Sequence, residues 1–177
     1  MRERSFAANS LRGGETQRVL RPPSCVEALP AHAVQHDRRR PLLAKRLAFV
    51  ETCVQELRTH AAPDRIRDDI QERRFVEHTL QLAIQAALDV ASHILSDLRL
   101  GEPATNRALF DLLVKAGWVS RELGEILADL TGFRNVLVHG YTEADLGIEA
   151  DLGIVLDVLV NRLGDLESFV DAIRRRL

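Results

Sequence analysis

Gln81-Leu82-Ala83-Ile84-Gln85-Ala86-Ala87-Leu88-Asp89-Val90-Ala91-Ser92-His93-Ile94 decides the fold. It sits inside a run from Asp64 to Leu100 that contains neither glycine nor proline. Phe75, Val76, Leu80, Ala83, Ile84, Ala87, Leu88, Ala91, Ile94, Leu95 and Leu98 recur along it at three- and four-residue spacing. That is one face of an amphipathic helix, since residues three and four apart stack on the same side. The run predicts a long helix over 64–100, with a break near Glu72, closed by Gly101-Glu102-Pro103.

The same period extends in both directions. Leu43, Leu47, Val50, Val54 and Leu57 predict a helix over 42–60, with Pro41 suited to its first turn. A short helix is expected over 105–116, with Leu109, Leu112 and Leu113 inward and Gly117 closing it. Ser120 is a suitable cap for a helix over 121–139, which Gly132 weakens and Gly140 ends. Thr142 to Asp145 read as a polar turn. Ile154, Leu156, Val160, Leu163, Leu166, Phe169, Val170 and Ile173 mark a last helix over 147–175. Ala144-Asp145-Leu146-Gly147-Ile148 nearly repeats as Ala150-Asp151-Leu152-Gly153-Ile154, which is too short for a solenoid and reads as a local insertion. No alternating strand pattern occurs. The expected fold is all-α, an up-and-down bundle of four to five helices. The long central stripe is apolar enough that part of it is expected to form a homodimer interface.

Length and composition agree. At 177 residues one domain is expected, and the 46% hydrophobic content sets the chain apart from disordered sequences. Residues 1–41 differ: they hold four of the six prolines and show no apolar period, so they read as a poorly ordered extension before a helical domain at 42–177. They carry eight arginines against four acids (+4), whereas the remaining 136 residues carry 16 basic and 22 acidic groups (−6). An acidic domain does not hold nucleic acid through a broad basic channel, so any RNA contact must use a local cluster of cations. Cys25 and Cys53 are too few for a disulfide framework and read as reduced thiols of a cytoplasmic protein. The sequence has no CxxC, and neither a metal nor a cofactor is expected. No apolar run approaches membrane-spanning length. Arg174-Arg175-Arg176 ends the last helix, where cations complement the dipole.

The chemistry is concentrated in Phe133-Arg134-Asn135-Val136-Leu137-Val138-His139-Gly140-Tyr141. A fixed cation, an amide, an imidazole and a phenol share this segment with three bulky apolar residues. On a helix Arg134 and His139 differ by about 140° around the axis, so only the reach of the arginine brings them together. Asn135 and His139 lie one turn apart on the same face, which lets Asn135 orient the imidazole. A neutral histidine can take a proton from a ribose 2′-hydroxyl near neutral pH, and an arginine can grip the phosphate. By spacing alone, however, an arginine and a histidine near a helix end are more often a salt bridge and a cap. Asp89 and His93, four apart on the long helix, form a second polar pair, read first as a satisfied contact inside the bundle.

Arg-Asn-x-x-x-His-x-Tyr, present as Arg134, Asn135, His139 and Tyr141, resembles the signature of the HepT-like group of HEPN ribonuclease toxins. The long helix with Asp89 and His93, Phe110-Asp111-Leu112-Leu113, and the Leu-x-x-Leu-x-Gly-Phe approach to Arg134 are also similar to that family. The resemblance covers about residues 42–175. It implies a helical homodimer that cleaves RNA without a metal, with Arg134 and His139 catalytic at a shared cleft and Asn135 supporting. It implies further that Tyr141 receives AMP from a partner nucleotidyltransferase of the MntA type, which neutralises the toxin. A non-catalytic helical dimer that presents Tyr141 to such a partner is the alternative, and a plain structural dimer a third reading.

Overall fold

The structure, a computed structural model, describes the backbone of residues 31–139 and 148–177 and the side chains of 40–137 and 152–177. The described residues form helices joined by short turns, with no strand among them. The helices are α1 (Ala31–His60), α2 (Ile70–Leu98), α3 (Asn106–Lys115), α4 (Arg121–His139), α5 (Ile148–Asp157) and α6 (Leu163–Arg174). A π-helical stretch, Val158–Arg162, joins α5 to α6, so the two form one rod.

α1 starts at Ala31, not near residue 42, and Pro41 lies inside it rather than in its first turn. Ala31, Ala33 and Arg38 to Arg40 are good helix formers, and their propensity carries the backbone helix past the point where the apolar period fades. Core packing still begins where the period begins. Leu43 is the first buried side chain, and Leu47, Val50, Cys53, Val54 and Leu57 follow it. Burial pushes the Cys53 thiol above its ordinary value, which keeps it protonated and inert.

The expected long helix over 64–100 starts later, at Ile70. Pro63–Arg65 form a single 3₁₀ turn, and Asp69 caps α2 by accepting from the Gln71 and Glu72 amides at 2.9 and 3.3 Å. Glu72 reaches back to accept from the Ala62 amide at 2.7 Å, which ties the α1–α2 corner shut. The end of α2 also differs from expectation. Arg99, not a glycine, takes the left-handed conformation (φ 52°), and the Leu100 amide donates to the Leu95 carbonyl at 3.1 Å. Gly117 does close α3 as expected: its φ is 73°, and the Trp118 amide donates to the Leu113 carbonyl at 2.9 Å. Ser120 caps α4 as expected, its hydroxyl accepting from the Leu123 amide at 3.2 Å.

α2 is the central helix and packs against α1, α3, α4 and α6. From Val76 to Leu95 its apolar stripe is buried inside a single chain. Most of the stripe is thus covered within one chain. Leu98, expected in the core, is exposed. α1 runs antiparallel to α6: Arg58 pairs with Glu167 at 2.8 Å, and Arg174 grips Glu51 with both guanidinium nitrogens. That bidentate contact raises the Arg174 pKa further. Phe110 of α3 and Phe169 of α6 meet edge to face at 6.1 Å in the core.

The last rod corrects two expected core positions. Ile154 and Val160 are exposed, and Val155, Val158 and Leu159 are buried instead. Counted back from buried Leu163, one helical face can take Val160 and Leu156 or Leu159 and Val155. The buried face follows Leu159 and Val155, through a π-helical stretch that widens the turn at Val158–Arg162.

Candidate functional site

α4 carries the candidate site. Leu130, Phe133 and Leu137, at i, i+3 and i+7, are buried and fix this end of the helix to the core. Thr131 is buried beside them and donates its hydroxyl to the Leu127 carbonyl at 2.9 Å. Arg134, Asn135 and Val136 therefore face outward. Val136 is exposed.

Arg134 is half-buried. Its Nε is enclosed without a hydrogen-bond partner, while its Nη1 donates to Asn135 Oδ1 at 3.4 Å, near the limit of a useful bond. No carboxylate pairs with Arg134 among the described residues. This bears on the commonest reading of such an arginine, a salt bridge, which the described residues do not supply. Asn135 is exposed and turns its oxygen to Arg134; its expected service to the imidazole has no described partner. His139 closes the backbone of α4, but its side chain, Gly140, Tyr141 and the turn at 142–145 lie outside the described residues.

Asp89 and His93 do not pair. Asp89 gives one oxygen to Arg46 Nη1 at 2.5 Å and the other to Gln85 Nε2 at 2.9 Å. Both oxygens are thus satisfied by α1 and by the preceding turn of α2, and Asp89 serves as a structural tie between helices. Sequence reasoning missed Arg46. The signal was present: it stands one residue before Leu47 on the apolar stripe of α1, where a cation needs an acid from the facing helix.

No helix of the described residues is long and apolar enough to cross a membrane. No group of three or more His, Cys, Asp or Glu that could hold a metal occurs among them.

Comparison with known proteins adds four observations. The profile of the family described as Ribonuclease HepT-like matches residues 50–173. The chain is 28% identical over 134 residues to an mRNA nuclease HepT of Shewanella oneidensis, across 75% of this chain and 96% of that one. It is 40% identical over 75 residues to a tRNA nuclease HepT of Aphanizomenon flos-aquae, across 42% of this chain and 51% of the other. Among solved structures it resembles the tri-AMPylated HEPN toxin of Shewanella oneidensis in complex with its MNT antitoxin. The TM-score is 0.66 at 28% identity, covering 75% of this chain and 96% of that one.

Proposed function

The chain belongs to the HepT-like ribonucleases, and on that footing we propose that Arg134 and His139 carry its RNA cleavage, without a metal, as a toxin. The observation that carries this reading is the uncommitted guanidinium of Arg134 on the outward face of α4. Arg46 spends its charge on Asp89. Arg134 has no carboxylate partner among the described residues, which fits a cation kept for a phosphate.

In this mechanism the neutral His139 imidazole takes the proton of a ribose 2′-hydroxyl. The 2′-oxygen bonds to the adjacent phosphorus, and the bond to the 5′-oxygen of the next nucleotide breaks. The leaving oxygen takes up a proton, so the products are a cyclic phosphate and a 5′-hydroxyl. Arg134 neutralises the charge that gathers on the phosphate, a contribution of about 10²–10³-fold when one such donor is removed from an active site. Asn135 supports Arg134 through its side-chain oxygen. The active form is a homodimer in the cytoplasm, in which two copies of Arg134 at a shared cleft double the local positive charge that an acidic domain otherwise lacks.

Neutralisation follows the relative from Shewanella oneidensis, whose tri-AMPylated chain is bound to an MNT antitoxin. A partner nucleotidyltransferase of the MntA type transfers AMP from ATP to Tyr141. The phenolic oxygen bonds to the α-phosphorus, pyrophosphate leaves and the phenolic proton is released. Tyr141 stands seven residues after Arg134, and the added phosphate places negative charge beside the cation that RNA needs. Intact mass of the chain after incubation with the partner and ATP tests this. The wild-type chain gains whole AMP units and the Tyr141→Phe chain gains none; an equal gain in both rejects Tyr141 as the acceptor.

A further inference from the structure

The opposite end of α4 holds a feature that this mechanism leaves unused. A cleft of about 840 Å³ opens between the start of α4 and the outer face of α6. Trp118, Arg175 and Arg176 line it, with Leu123 and Ile126 as its apolar wall. Trp118 is the only tryptophan in the chain. The Arg176 guanidinium lies over its ring, 5.8 Å from the centroid. Trp118 and Arg176 also border a smaller cleft of about 150 Å³, to which Arg40 contributes.

The three arginines at the end of α6 have different roles. Arg174 is locked to Glu51 across the helix pair. Arg175 and Arg176 are exposed, and neither has a carboxylate partner among the described residues. Complementing the helix dipole explains a cation at this terminus but not a tryptophan stacked beneath one of them. Glu122 and Asp165 also line the cleft, and Asp165 lies 3.8 Å from Arg162. The local charge is therefore not a broad basic field. Arg176 stands at Trp118, and Asp97 borders the smaller cleft with them.

The geometry points to a second RNA contact here: the Trp118–Arg176 pair stacks an unpaired base while Arg175 and Arg176 hold its phosphates. This inference deepens the ribonuclease reading and rests on it. A flat aromatic surface with an arginine guanidinium beside it is the chemistry that holds single-stranded nucleic acid irrespective of sequence. Fourteen residues of α4 separate Ser120, at this cleft, from Arg134. At 1.5 Å per residue that is about 21 Å, a span within reach of a strand occupying about 4–16 nucleotides. One strand can thus be anchored at Trp118 and cut beside Arg134. An acidic domain with one uncommitted cation at its candidate cutting site gains the most from such an anchor.

The lone tryptophan makes the site its own reporter. The full chain is titrated with a 2′-O-methyl oligonucleotide of about twelve residues. It has no 2′-hydroxyl and stays intact whether or not the cleavage mechanism holds, so failure here is distinct from failure of the ribonuclease reading. Saturable quenching of Trp118 emission is expected, with a midpoint that rises with salt. In the Arg175→Glu, Arg176→Glu chain, checked by its melting curve for an intact fold, the midpoint rises about tenfold or more. Arg175→Lys, Arg176→Lys retains binding. Emission unchanged by the oligonucleotide, or quenching unaltered by the charge reversals, overturns the inference. ATP alone binding as tightly as the oligonucleotide also overturns it, because the cleft would then hold a single nucleotide rather than a strand.

Discussion

Two arginines of similar burial differ in what they pair with. Arg46 on α1 and Arg134 on α4 are both half-buried, and each has an enclosed Nε that meets no acceptor. Arg46 spends its charge on Asp89 at 2.5 Å and ties α1 to the central helix. Among the described residues, Arg134 has only a 3.4 Å contact to the neighbouring amide of Asn135. Similar burial thus goes with different pairing: Arg46 holds two helices together, and the reading proposed for Arg134 is that its charge serves a substrate.

The comparison can be broken in several ways. The largest effect is expected on rate: Arg134→Ala lowers RNA cleavage by at least about 10²-fold while leaving the melting temperature within error. A large drop in melting temperature would mean that Arg134 is structural after all. Arg46→Ala should do the reverse. Its pair with Asp89 is 40% and 30% exposed, so solvent screening limits the loss to about 1 kcal/mol in a denaturant titration, with cleavage retained.

A second contrast lies within α4 itself. A Cβ on Gly124 would stand 2.3 Å from Val114 Cγ2, whereas one on Gly132 meets nothing within 4 Å. Gly124→Ala should therefore destabilise by about 1–3 kcal/mol, and Val114→Ala in the same chain should recover part of this. Gly132→Ala should stabilise by about 0.5–1 kcal/mol, since only the helix-weakening glycine is removed. Equal effects at the two sites would contradict the packing of α3 on α4.

The smallest effect concerns the cap of α2. The amides of Glu72 and Gln71, followed by the charge of Arg65, hold the Asp69 pKa below its ordinary value. A depressed folded value means that Asp69 contributes stability above its unfolded value of about 3.9, lost as pH falls through the folded one. Asp69→Asn should flatten the acid side of the stability profile. An unchanged profile would show that the cap carries no charge-linked stability.

Most of the fold was legible because it rests on local period and caps. Leu43 to Leu57 and Val76 to Leu95 are buried as their spacing required, and Ser120 and Gly117 do what their chemistry allows. What escaped depended on non-local or subtle backbone features. The buried face of the last rod follows Leu159 and Val155 through a π-helical stretch, which no apolar period announces. The partner of Asp89 came from another helix, 43 residues away in sequence, rather than from His93 one turn on. α1, α3, α4 and α6 cover most of the apolar stripe of α2, while Leu98 near its end stays exposed. At the candidate site the motif supplied residue identities. That Arg134 has no carboxylate partner among the described residues became visible only from the placement of the side chains around it.

The measurement that tests the central claim most directly is cleavage of single-stranded RNA by the partner-free chain, unmodified at Tyr141, in excess EDTA near neutral pH. Cleavage by the wild type, with loss in Arg134→Ala and in His139→Ala, is the predicted result. Cleavage undiminished in Arg134→Ala, or no cleavage by the wild type anywhere between about pH 5 and 9, on either side of the ordinary histidine pKa, would contradict it.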